Sequence, residues 1–219
     1  KDGFRNNVAA FASWDVFDWI INNQRNSFTI NSGAYPLEDK IITVKQRWMN
    51  SFISEIPYPG YGRGVRWDVF TYEYAFEYLK LNKPRILYIS FDETDGFAHD
   101  IKYDKYLYGI NRLDRYIKNF WTWIQSNEKY KNKTTMIITT DHGRGKYKDN
   151  KWGSHGASVP NAKYIWSAII GPDTPAQGEI TESNDIYMNQ VAATITHLLG
   201  YDYSTNSESG SVIYNMISN

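Results

Sequence analysis

Residues 85–99 read RILYISFDETDGFAH. The first seven, RILYISF, are a short apolar run of the kind that forms a buried strand. Asp92, Glu93, Asp95 and His99 follow at once. In an α/β protein, ligands collect where parallel strands end, so a strand that runs straight into acids and a histidine marks the place to look for chemistry.

Working outward, the rest of the chain supports that architecture. Upstream, residues 8–14 read as a second buried strand, and residues 15–22 as a helical turn or two with Trp14, Phe17 and Ile21 on one face. Residues 31–39 have turn chemistry, and residues 57–64 (PYPGYGRG) are the most loop-like stretch. Asp68 is placed to cap a helix over residues 69–80, which Pro84 prevents from continuing. Downstream, residues 104–126 form an amphipathic helix with Leu107, Ile110, Leu113, Ile117, Phe120, Trp121 and Ile124 along one stripe. Residues 136–140 and 164–170 read as strands, the latter closed by Gly171-Pro172. Residues 185–199 read as a helix stopped by Gly200. Strands alternating with helices predict an α/β fold, a mostly parallel sheet sandwiched between helices.

Composition narrows the function. The 219 residues carry 24 Lys and Arg against 24 Asp and Glu, which argues against a partner as anionic as a nucleic acid polymer. Aromatics make up 16% of the chain, too many for a disordered segment; those between Tyr72 and Trp123 sit at helical spacing and read as core. The absence of cysteine removes disulfides, Cys-ligated zinc, iron–sulfur clusters and a thiol nucleophile. No apolar run nears the roughly 18 residues of a membrane span. Residues 1–5, KDGFR, are not followed by the apolar stretch of a signal peptide.

Three segments concentrate metal-ligand types: Asp92 to His99, then Asp141-His142-Gly143 after the strand at 136–140, then Gly153-Ser154-His155-Gly156. They hold three of the four histidines; the fourth, His197, lies in the last helix and reads as structural. Taken singly, Asp95 is a surface acid, Asp141 a turn acid and His155 a loop residue. Together they offer imidazole nitrogen with carboxylate oxygen, a set that suits zinc, manganese or iron, where an all-oxygen set would suit calcium or magnesium. Two such ions roughly 4 Å apart can clamp an in-line displacement at phosphorus. Asp92 and Glu93 read as solvated loop acids, with a role in orienting a ligating histidine as the alternative. Gly60, Gly62 and Gly64 read as a turn, and Arg144 and Lys146 as solvated loop charges.

The series Asp95-Gly-Phe-Ala-His99, Thr140-Asp141-His142-Gly143 and His155-Gly156 resembles the metal-site pattern of the alkaline phosphatase superfamily, in its nucleotide pyrophosphatase/phosphodiesterase-like branch. Residues 185–200 resemble the helix that follows the last ligand there. The resemblance runs from about Phe11 to the C-terminus. It implies two divalent ions, both Zn2+ with Mn2+ as the alternative metal, with Asp95, His99 and His155 on one ion and Asp141 and His142 on the other. In the family the second ion also takes an Asp from an N-terminal strand and a Ser or Thr nucleophile. Neither is found here, so both are expected upstream of Lys1. Residues 1–219 are then one domain incomplete at its N-terminus, an alkaline phosphatase-like core lacking its first strands. The family's frequent Gly before the first His is Ala98 here, and its Gly soon after that His is replaced by Asp100-Ile101-Lys102.

What the resemblance implies is a metal-dependent hydrolase of phosphate mono- or diesters acting on a small phosphorylated substrate, periplasmic or secreted. The alternatives from the same superfamily are a phosphoglycerate mutase or phosphopentomutase and, less well matched to a three-histidine set, a sulfatase. The alternative from another class is a phosphatase-like binding module without turnover.

Overall fold

Ala9, Ala10, Phe11 and Ala12 are almost wholly buried, and they form most of β1 (Val8–Ala12). In the computed structural model, which describes residues 4, 7–21, 28–59, 64–149, 151–181, 185–203 and 209–218, β1 is the middle strand of a three-stranded sheet. Its neighbours are β2 (Thr29–Ser32) and β3 (Ile86–Ser90), in the order β2-β1-β3. Both pairings are parallel, with Ala9 opposite Thr29 on one side and Leu87 on the other. Gly60, Gly62 and Asn22 lie outside the described residues.

The chain divides into two compact units. The first comprises Lys1–Phe120 with Trp152–Ser154, the second Trp121–Lys151 with His155–Asn219.

In the first unit, α3 (Asp68–Asn82) packs on β1 and β3. Tyr78 meets Phe11 of β1 with ring centroids 5.3 Å apart. The helix ends as the sequence predicts: Lys83 takes a left-handed conformation (φ 50°) and Pro84 follows. Between α3 and α5 (Tyr103–Ser126) the aromatic residues form a stack. Tyr72 lies flat on Tyr116 at 4.0 Å and 7°, and Phe120 presents its edge to Tyr72 and Phe76. These rings are packed as their spacing implies, whereas Tyr103 and Tyr108 of the same stretch are 43% and 59% exposed. The buried line of α5 is Gly109, Tyr116, Phe120 and Ile124, whereas Leu107 and Ile110 of the expected stripe are 40% and 42% exposed.

Four elements of the first unit differ from the sequence reading. The short helix expected near residues 15–22 is confined to α1 (Phe17–Ile20). The turn expected at residues 31–39 starts inside β2, whose last two residues, Asn31 and Ser32, are buried although polar. Their hydrogen bonds make this tolerable: Arg66 donates to the Asn31 side-chain and backbone oxygens, and Ser32 Oγ donates to Asp18 Oδ1 at 2.9 Å. Helix α2 (Val44–Asn50) was not expected. It is opened by a capping box, Gln46 N donating to Thr43 Oγ1 at 3.1 Å and Thr43 N to Gln46 Oε1 at 2.8 Å. Finally, Asp92 to His99 is not a loop but carries α4 (Glu93–His99).

Asp68 does not cap its own helix. It is fully buried, accepts from Ser13 Oγ at 2.6 Å and turns towards the start of α4. Burial pushes its pKa up from 3.8 to about 6, against the opposing pull of its hydrogen bonds and of Arg112 and Arg66. Burial likewise lowers Arg66 to about 9, leaving it a cation at neutral pH. A carboxyl whose folded pKa is raised binds its proton more tightly when folded. Its favourable contribution is therefore complete below pH 3.8 and lost as pH rises through about 6. The stability difference between the parent and Asp68→Asn should shift against the parent as pH rises from about 4.5 to 7, by an amount on the order of 2 kcal/mol. Urea unfolding of both proteins at pH 4.5 and 7 measures it; a constant difference would refute the assignment.

In the second unit, β4 (Met136–Thr139) pairs with β5 (Ser167–Ile170) antiparallel, Met136 opposite Ile170. The parallel expectation therefore holds for β2-β1-β3 and not for this pair. The reason is the connection: between Thr139 and Ser167 the described residues contain only a 3-10 turn at Tyr147–Asp149, and no crossover helix returns the chain for parallel entry. The last expected helix starts late, as a 3-10 turn Met188–Gln190 that continues into α6 (Val191–Leu198), with Gly200 at φ 81° beyond it. Among the described residues no helix is long and apolar enough to cross a membrane.

Candidate metal centre

The first unit contributes Asp95 and His99. They lie one turn apart on α4, so both project from one face. Asp95 Oδ2 is 3.3 Å from His99 Nε2, and the two side chains are 25% and 21% exposed. Half-buried groups of this kind keep solvent access for an ion while losing rotamer freedom.

A seven-residue helix containing Gly96 is weak by itself, and α4 is held at both ends. At its start, Asp92 N and Glu93 N donate to Asp68 Oδ1 and Oδ2 at 2.9 and 3.2 Å. At its end, Ile101 adopts φ 57° and the amides of Ile101 and Lys102 donate to Ala98 O and Phe97 O. Ala98, where the family often has glycine, is fully buried. The glycine requirement appears instead at Gly153: a Cβ there would lie 2.6 Å from Ala98 O. Glu93 is not the solvated acid that the sequence implies. It is 1% exposed and ion-paired with Arg112.

The second unit contributes Asp141, His142 and His155. The His142 and His155 rings stack at 3.8 Å and 12°. His142 Nδ1 is 2.9 Å from Gly143 O. A carbonyl only accepts, so Nδ1 carries the proton and the neutral ring keeps its lone pair on Nε2, the form a metal needs. Asp141 is the most open of the set: its side chain is 88% exposed, its Oδ1 accepts from His142 N at 3.0 Å, and the same oxygen stands 3.8 Å from His142 Nε2, a separation that two ligands of one ion can have. The donor chemistry of the two sets, imidazole nitrogen with carboxylate oxygen, fits zinc or manganese. His197, by contrast, meets Tyr214 edge-on at 5.5 Å, in keeping with a structural role.

The Asp-His-Gly motif has a steric cause. Gly143 N donates to Ala162 O at 2.7 Å, and a Cβ on Gly143 would lie 2.2 Å from Tyr164 O and 2.8 Å from Asn161 O. Backbone on both sides leaves no room to yield. Gly143→Ala is expected to destabilise the second unit by about 3 kcal/mol, the upper range for overpacking, and to displace His142. Urea unfolding, together with the NMR shifts of the His142 and His155 rings, tests this; parent-like values in both would show that the segment relaxes freely.

The model of the type I phosphodiesterase / nucleotide pyrophosphatase family matches residues 3–206. The chain belongs to this family. Other similar proteins are GPI ethanolamine phosphate transferases 1. That of Aspergillus oryzae is 27% identical over 135 residues, 52% of this chain and 13% of the relative. That of Homo sapiens is 25% identical over 150 residues, 58% of this chain and 15% of the relative. The Yarrowia lipolytica protein is 21% identical across 87% of this chain and 23% of its own length. This phosphodiesterase-family chain thus spans less than a quarter of the curated relatives it matches. No solved structure gives a significant match. Membership agrees with the superfamily resemblance carried by the three motifs, and it supports activity on phosphoesters.

Proposed function

We propose that the chain supplies ligands of a two-metal centre for phosphoester transfer: Asp95, His99 and His155 for one ion, Asp141 and His142 for the other, with Zn2+ as the metal and Mn2+ as the second choice. The observation that carries this reading is the pairing of Asp95 with His99 on one face of α4, 3.3 Å apart, in a chain matched to a phosphodiesterase family over residues 3–206. Bound ions would supply Lewis-acid stabilisation of charge on phosphoryl oxygens. The protein's part is to hold the donors still. α4 keeps Asp95 and His99 on one face, and the Gly143 carbonyl fixes the His142 tautomer.

The acceptor divides two readings. The relatives' name, ethanolamine phosphate transferase, supports transfer of a phosphoester group to an alcohol, and we take this as the leading one. The family's description as phosphodiesterase supports water as acceptor, a hydrolase. The deciding experiment uses the protein at its full native length, loaded with Zn2+ or Mn2+, and a lipid donor labelled in its phosphoethanolamine group. Label recovered on an added glycan alcohol establishes transfer. Label released only as free phosphoethanolamine establishes hydrolysis. Neither product, with metal bound, would favour the non-catalytic binding module.

A further inference from the structure

Helices α3 and α4 each begin without a cap of their own. The residue before α3 is Trp67, which has no capping side chain, and Asp92, before α4, makes no side-chain cap. The first amides of a helix nevertheless need acceptors, most of all when buried. Here each helix caps the other. Asp68, the first residue of α3, accepts from Asp92 N and Glu93 N at the start of α4. Glu93, the first residue of α4, accepts from Asp68 N through Oε1 at 2.6 Å. The pair is anchored on both sides. Ser13 Oγ, just past the end of β1, donates to Asp68 Oδ1 at 2.6 Å, and Arg112 of α5 pairs with Glu93 Oε2. Both acids are buried to within 1%, where truncating one leaves the opposite amides without a partner.

We infer that Asp68 and Glu93 are positioning residues for the metal centre, because their reciprocal cap fixes the start of the helix that presents Asp95 and His99. The inference rests on the reading of those two residues as ligands. Asp95 is only two residues beyond Glu93 and His99 one turn further, so loosening the first turn of α4 moves both donors together. Supporting interactions around metal ligands are typically worth about 10–100-fold in affinity. Neither cap acid is among the candidate ligands, so the effect of the cap should appear as donor placement.

The test is Zn2+ titration calorimetry on the whole chain, with amide exchange of residues 94–99 read in the metal-free protein. Asp95→Ala serves as the ligand control. Asp68→Ala is expected to weaken Zn2+ binding at least about tenfold and to speed exchange across α4 while leaving β1 and β3 protected. Asp68→Asn, which keeps an acceptor oxygen, is expected to recover part of the affinity. If Asp95→Ala weakens binding but Asp68→Ala leaves affinity and α4 exchange unchanged, the positioning role is overturned and the ligand reading stands. If Asp95→Ala binds Zn2+ like the parent, or the parent binds none, the ligand reading falls and takes this inference with it. Should Asp68→Ala fail to fold, Asp68→Asn and Glu93→Gln decide: parent-like affinity in both overturns the proposal, and a loss of about threefold or more in either upholds it.

Discussion

His99→Ala is expected to lower zinc affinity at the ion shared by Asp95, His99 and His155 about a hundredfold, and His99→Ala combined with His155→Ala to remove that ion from the purified protein, leaving only the metal assigned to Asp141 and His142. Four-ligand zinc sites bind with about 10–16 kcal/mol, near 3 kcal/mol for each ligand, and a tenfold change in affinity is about 1.4 kcal/mol. Removing His99 also leaves the Asp95 carboxylate without the imidazole that stands 3.3 Å from it. The check is elemental analysis of parent, single and double variants, with His197→Ala as control. His197 packs edge-on to Tyr214, so its loss should leave metal content unchanged. Equal metal in parent and double variant, or metal lost with His197, would remove these residues from the candidate centre.

The second large effect concerns folding. Tyr74→Ala is expected to destabilise the first unit by about 3–5 kcal/mol, the range for deleting a buried ring. Tyr74 is fully buried. Its hydroxyl donates to Asn50 Oδ1 at 2.8 Å, its backbone oxygen accepts from Gln46 Nε2, and the Arg66 guanidinium lies over its ring at 5.1 Å. One side chain therefore links α2, α3 and the arginine that satisfies Asn31. Tyr74→Phe separates the contributions: it keeps the ring and is expected to cost about 1 kcal/mol for the lost hydrogen bond. Chemical denaturation followed by far-UV circular dichroism measures both; a Tyr74→Ala loss below about 1 kcal/mol would mean that the cavity closes.

Elements with a strong local pattern were legible in the sequence: β1 and β3 as apolar runs, α3 between its start and Pro84, and the full length of α5. Elements that depend on distant partners were not. The end of β2, Asn31-Ser32, looks like a turn because both residues are polar; pairing with β1 makes Asn31 a strand residue, and Arg66, 35 residues away, satisfies its buried side chain. The segment ETDGFAH looks like a loop because its helix is capped from Asp68. α2 is a different case, since Thr43 and Gln46 carry a capping-box spacing that a closer reading finds. The antiparallel pairing of β4 and β5 depends on a long connection without a helix, and strand direction leaves no trace in apolar runs. Of the candidate ligands, the spacing of Asp95 and His99 was visible once α4 is a helix. The residues that hold α4, Asp68 and Glu93, were visible only as a helix cap and a loop acid.

The exchange of caps between α3 and α4 bears on how this sequence can change over time. Asp68 and Glu93 stand 25 positions apart, yet each completes the other's helix, so neither is free to drift alone. A lineage that loses one acid inherits an unsatisfied helix start and a stranded partner charge. The neutral route is a joint replacement, in which both helices acquire local Ser, Thr or Asn caps. Positions 68 and 93 should therefore vary together among relatives, and Arg112 should leave the lineage when Glu93 does.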